Sequence, residues 1–143
     1  MQNPLFQGEQ LYKLIPQRPP IVMVDVLWDA ADTSAQTGLT ILPTNIFVKD
    51  GVLREPGLIE HIAQSTAAFK GYDTFKRQLP PQLGYIGEIK KCAIHALPAV
   101  GTELHTRLQV IAEAVGITLI AAQTYAGEQL VAECQMKLFI KQD

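Results

Sequence analysis

The sequence predicts an α+β domain in which an antiparallel sheet wraps around one long central helix. Three observations carry this. Apolar residues recur at helical steps in only one long segment, Glu55 to Gly71, where Ile59, Ile62, Ala63, Thr66 and Phe69 share a face. β-Branched or alternating runs bounded by Gly and Pro occur twice before that segment and four times after it. A chain of 143 residues has room for one core, so the runs and the helix are expected to form a single domain over residues 1–143.

In chain order, Glu9 to Ile15 is a short amphipathic turn carrying Leu11, Leu14 and Ile15, stopped by Pro16. Pro16-Gln17-Arg18-Pro19-Pro20 is a hard corner, because its prolines remove backbone donors and hold the preceding residues extended. Ile21 to Trp28 follows as a β-branched run long enough for a buried strand, interrupted by Asp25. Thr33 to Leu42 reads as a second strand with Ala35, Thr37, Leu39 and Ile41 on one face, and the turn at Asp29 to Asp32 makes a hairpin of the two. Pro43 to Arg54 is a connecting loop with a small hairpin at Asp50-Gly51. The helix then runs to about Phe75, with Pro56 suited to its first turn and Leu79-Pro80-Pro81 ending what remains. Leu83 to Ala96, Thr102 to Glu113, Ile117 to Tyr125 and Leu130 to Lys141 read as consecutive antiparallel hairpins, a meander.

Composition narrows the function. Hydrophobic residues make up 48% and charged residues 18%, which excludes a disordered chain and leaves apolar surface for self-association. A symmetric homodimer, or a higher homo-oligomer, would also cover the strand edges. A net charge of −2 argues against nucleic acid as the main partner. Cys92 and Cys134 are too few and too unpatterned for a disulfide framework or a metal knuckle, and read as reduced core thiols. No His/Cys/Asp cluster has ligand spacing, so neither metal nor cofactor is expected. Met1 to Gly8 lacks the pattern of a signal peptide and no apolar run reaches membrane-spanning length. The expectation is a soluble, cytoplasmic protein with no membrane partner.

On the helix, Glu60 and Gln64 lie one turn apart and point the same way. Glu60 is either an acid/base group on a largely apolar helix or a solvated surface charge. Gln64 either holds Glu60 or anchors a buried amide network. Gly57 either offers its N–H to a developing oxyanion at the helix start or is a glycine that packing requires. His61, next to Glu60, points about 100° away and cannot form a dyad with it within one chain. His95 and His105 lie on strand segments far along the sequence, and Ser65 lacks a nucleophile-elbow context. Arg18, Lys70, Lys76-Arg77 and Lys90-Lys91 are either local positive patches or ordinary solvated charges.

Three segments resemble the hot-dog fold 3-hydroxyacyl-(acyl carrier protein) dehydratases of fatty-acid synthesis, over essentially the whole chain. Leu14-Ile15-Pro16-Gln17-Arg18-Pro19-Pro20 followed by Ile21 to Asp25 is similar to that family's Pro-His-Arg-x-Pro motif and apolar strand. Pro56-Gly57 with Glu60-His61-Ile62-Ala63-Gln64 is similar to its Glu-x-x-Ala-Gln helix, with the Gly57-to-Glu60 interval two residues shorter than is typical. Tyr85 to Lys91 and Pro98 to Thr102 resemble the strand and turn that follow. The shortened helix start also resembles small dehydratase-like hot-dog proteins of aryl-polyene pathways.

The resemblance implies a hot-dog fold, an acyl carrier protein or coenzyme A thioester as partner, and a site with Glu60 and Gln17 at the catalytic positions and Gly57, Gln64 and Arg18 at substrate-binding ones. In that family the motif histidine removes the α-proton and the helix glutamate assists loss of the 3-hydroxyl. Here Gln17 holds the histidine position, and a carboxamide is not basic enough to accept a proton near neutral pH. Dehydration is therefore expected to be weak or altered. The alternatives are a non-catalytic acyl-carrier-binding or partner subunit, and a thioesterase in which Glu60 activates water.

Overall fold

The elements form because each run finds a place to bury its apolar side. A computed structural model describes residues 3–80 and 84–140. It contains β1 (Phe6–Gln7), a 3-10 helix (Gly8–Lys13), β2 (Val26–Ala30), β3 (Ser34–Thr40), β4 (Val48–Lys49), β5 (Val52–Leu53) and α1 (Glu55–Lys76). After α1 come β6 (Gly84–Ile94), β7 (Glu103–Ala114), β8 (Ile117–Ala126) and β9 (Gln129–Ile140). Among the described residues one antiparallel sheet has the order β1-β2-β3-β7-β8-β9-β6, and α1 contacts β2, β3, β6, β7 and β8. This is the α+β hot-dog arrangement, a sheet curled around one helix.

The expected hairpin at Asp50-Gly51 is β4–β5. Both turn residues have positive φ, 55° and 79°, as a two-residue turn matching strand twist requires. On β3, Ala35, Thr37 and Leu39 are buried as expected, and Ile41 just beyond the strand is fully buried. Pro56 sits in the first turn of α1, and Lys76 is a basic residue in the last.

Three expectations are corrected. The strand expected from Ile21 begins only at Val26, because the Met23 and Ile21 backbone groups are taken by side chains of α1 rather than by a neighbouring strand. The last four strands are not all one meander. β7, β8 and β9 are consecutive, but β6 pairs with β9 at the far edge, so the Ala96–Thr102 connection crosses over instead of turning a hairpin. The buried face of α1 is also wider and more polar than the helical period suggested: Ile59 and Ala63 are half-buried, whereas His61, Gln64, Ser65 and Thr66 are fully buried. β1 was not anticipated; its two residues pair with Val26 and Leu27 at the sheet edge. Of the expected boundaries, Pro81, Leu83 and Lys141 lie outside the described residues.

The back half of α1 is pressed against the proline corner at Gly71, where an added Cβ would stand 2.2 Å from the Leu14 carbonyl oxygen. That neighbour is backbone and cannot swing away. Gly71→Ala is expected to destabilise the fold by about 2 kcal/mol as helix and corner separate, measurable as a lower urea midpoint at unchanged slope. An unchanged midpoint would show that the corner gives way freely.

Candidate active site

The side of α1 that meets the sheet is built from hydrogen-bonding side chains, and each has a defined partner. Gln64 is wholly buried; its Oε1 accepts the Met23 N–H at 2.5 Å, and its Nε2 donates to Ile21 O and to Glu60 Oε1, both at 2.8 Å. His61 is likewise buried, with Nδ1 2.7 Å from Met23 O and Nε2 2.7 Å from Thr106 Oγ1. A carbonyl only accepts, so Nδ1 carries the proton and Nε2 accepts from the Thr106 hydroxyl. Thr106 Oγ1 in turn lies 2.7 Å from Thr124 Oγ1, and Ser65 Oγ lies 2.7 Å from Thr37 Oγ1. The helix thus holds the extended 21–25 segment on one flank and β3, β7 and β8 beneath it.

His61 is a structural imidazole. Burial drives its pKa down from 6.5 to about 4, only partly countered by the Met23 carbonyl, so it is neutral at pH 7 and both ring nitrogens are occupied. His95 lies on the surface 2.8 Å from Glu133, and His105 donates to Gln36 Oε1. No histidine among the described residues joins Glu60. Nor does any group of three or more His, Cys, Asp or Glu among them form a metal-binding cluster.

Glu60 is half-buried, oriented by Gln64 one turn along, so the predicted pair does meet. Gln17 is elsewhere. It lines a groove of about 930 Å³ with Leu14, Ile15, Ala67, Lys70, Gly71, Phe75, Lys76, Leu138 and Ile140, and its Oε1 is buried without a hydrogen-bond partner among the described residues. The groove lining combines these apolar side chains with Lys13, Lys70, Lys76 and Asp73. Glu60 is not part of its lining; Ala67 is seven residues, about 10 Å, further along the helix axis.

Two expected substrate-binding groups are already engaged. The Gly57 N–H donates to Arg54 O at 2.9 Å, so it is not the free donor that was anticipated, and a Cβ at Gly57 would stand 2.7 Å from both Phe47 and Leu53. Packing requires this glycine. Arg18 clamps the proline corner: Nη1 donates to Ile15 O and Gln17 O at 2.8 Å, Nη2 to Tyr12 O at 3.1 Å, and the guanidinium stacks 4.6 Å from the Tyr12 ring. Several other cations are paired. Lys70 pairs with Glu113, Arg77 with Asp73, and Lys90 with Glu88.

A second basin of about 740 Å³ is lined by residues that include Asp25, Trp28, Gln36, Glu103, His105 and Arg107. Asp25 accepts the Thr40 N–H at 2.8 Å, but burial, with Glu103 adding to it, holds its carboxyl above the usual carboxylate range. Burial and the neighbouring Arg107 hold His105 below the ordinary imidazole value. Apart from Asp25 breaking an apolar run, alternating polar residues on a strand face gave no sign of this basin.

The ApeP-like family, described as ApeP dehydratase, matches residues 9–143. No curated protein sequence matches the chain. Among solved structures, the dehydratase heterocomplex ApeI:P from Xenorhabdus doucetiae superposes with a TM-score of 0.86 at 13% identity, covering 100% of this chain and 94% of that one. A hypothetical thioesterase with coenzyme A from Streptococcus pneumoniae has a TM-score of 0.65 at 8% identity, covering 80% of this chain and 84% of that one. A conserved protein from Pseudomonas aeruginosa has a TM-score of 0.66 at 17% identity, covering 91% and 98%. At such identities the structures share the fold, while the family match runs from the first 3-10 turn to the last residue. With a sheet-wrapped helix presenting Glu60 and Gln64 as its polar pair, this chain belongs to the ApeP-like dehydratase family.

Proposed function

We propose that this chain is a cytoplasmic, dehydratase-like protein of fatty-acid or related acyl-chain biosynthesis that binds 3-hydroxyacyl thioesters of acyl carrier protein or coenzyme A, with weak or altered catalysis. The observation that carries this reading is the Glu60 carboxylate held by Gln64 with no imidazole beside it. Dehydration requires a base for the α-proton and an acid for the departing 3-hydroxyl. In this reading Glu60 does both, taking the proton from C2 and delivering it to the hydroxyl as water leaves. Gln17 orients. Its buried, unpartnered Oε1 suits a hydroxyl donor in the groove it lines. A thioester carbonyl at the start of α1 would share the Gly57 N–H with Arg54 O, and Arg18 acts by keeping the Gln17 corner in shape.

Gln17 lines a groove that does not include Glu60, which supports a homodimer or higher homo-oligomer in which one copy's groove faces the other's carboxylate. The exposed Tyr85 and Ile89 on edge strand β6 are apolar surface for such an assembly. A second reading, a non-catalytic partner subunit, is favoured by the likeness to a dehydratase heterocomplex. The thioesterase reading ranks behind both.

Purified protein offered 3-hydroxyacyl, 2-enoyl and saturated acyl thioesters separates these. Hydration or dehydration reduced at least about 100-fold by Glu60→Gln is the expected result. Free thiol release would favour the thioesterase, and saturable binding without turnover the partner subunit. Gln17→His is expected to raise dehydration by restoring a base. A folded Gln17→His protein with no gain would overturn the assignment of that corner.

A further inference from the structure

We propose that Cys92 and Cys134 form a reversible intramolecular disulfide that latches edge strand β6 onto β9. The register places them together. Lys90 pairs with Gln135 and Ala93 with Glu133, so Lys91 and Cys92 both stand opposite the single residue Cys134. This is a β-bulge, and Lys91 at its head has a φ of 52°, in the left-handed region that such bulges use. Cys92 shares the strand face of Ile94, which packs on the core, and Cys134 shares the buried face of Ala132 and Met136. The Cys92 thiol also contributes to raising the Cys134 pKa, as a close neighbour would. Residues opposite one another on antiparallel strands have Cα atoms about 4.5–5.5 Å apart, within the roughly 4.4–6.8 Å that a disulfide spans.

The two sulfurs differ in access, which assigns them different parts. Cys92 is exposed and Cys134 buried. With a peroxide as oxidant, the Cys92 sulfur attacks the O–O bond, one oxygen stays on sulfur as a sulfenic acid and the other leaves as water. The Cys134 sulfur then attacks the Cys92 sulfur, an S–S bond forms and a second water leaves, so two thiols give up two electrons and the peroxide is reduced to two waters. Burial pushes the Cys134 thiol up to about 12, so it stays protonated near neutral pH and closure accelerates as pH rises. The latch acts on β6, which among the described residues pairs only with β9, and is independent of the acyl-thioester reading.

The test is intact mass and free-thiol counting of the reduced, folded full chain after limited hydrogen peroxide. Expected are a loss of about 2 Da, disappearance of both alkylatable thiols, reversal by dithiothreitol, and slower amide exchange in β6. Cys92→Ser and Cys134→Ser should each abolish the mass loss, and in Cys134→Ser dimedone should trap a sulfenic acid at Cys92. Retention of two free thiols, over-oxidation of Cys92 without closure, or a disulfide-linked dimer alone would overturn the proposal.

Discussion

Acidification from pH 6.5 to 4 is expected to remove about 3 kcal/mol of stability through His61 alone. In the folded protein its pKa is lowered to about 4 from an ordinary 6.5. Between those values the unfolded chain binds a proton that the folded chain refuses. The contribution is therefore complete above the unfolded value and is lost as pH falls toward the folded one. Asp25 opposes this at the acid end, because its raised pKa makes the folded state bind a proton more readily than the unfolded chain does. The variant His61→Asn keeps an amide donor toward Met23 O and has nothing to titrate. It should start about 2 kcal/mol less stable at pH 7, with Thr106 poorly matched, yet show a flatter stability profile between pH 6.5 and 4. Urea denaturation across that range measures both. Parallel profiles for the two proteins would mean that the buried imidazole is not the acid-sensitive group.

Gln64→Leu is expected to cost about 3 kcal/mol although it replaces one side chain by another of similar size. The wild-type amide satisfies the Met23 N–H and the Ile21 carbonyl, backbone groups that lie before β2 begins at Val26. Leucine leaves both without partners and gives nothing back, because the site is already buried. The same change frees Glu60 of its donor, so any hydration activity should fall along with the urea midpoint. Gln64→Glu is the informative companion: its carboxylate can accept from Met23 N–H but repels both Ile21 O and Glu60, and it should be no better than leucine. A Gln64→Leu protein as stable as wild type would mean that the 21–25 segment is held by its apolar side chains alone.

Most of the architecture was legible because it rests on local chemistry. Period-2 burial on β3, positive φ at Asp50-Gly51 and a proline in the first helical turn follow from residues close together in the chain. The strand misplaced at Ile21 shows the limit of that reasoning. Ile21 to Val24 has strand composition, but hydrogen-bond partners are chosen in space, and here side chains 38 to 43 residues away reach the backbone first. The β6–β7 crossover was hidden for a related reason. A connection containing Pro and Gly looks the same whether it reverses a hairpin or carries the chain across to another edge.

The site divided along the same line. Glu60 and Gln64 meet because helical spacing alone brings residues four apart together, and the sequence by itself determined that pair, along with the fold class. Only the tertiary structure decided that His61 is a sealed structural group, that the Gly57 N–H and the Arg18 guanidinium are engaged by the backbone, and that Gln17 lines a groove whose lining does not include Glu60. Those outcomes depend on burial and on which distant carbonyl arrives within hydrogen-bonding distance, and neither quantity is encoded in the spacing of residues along a chain.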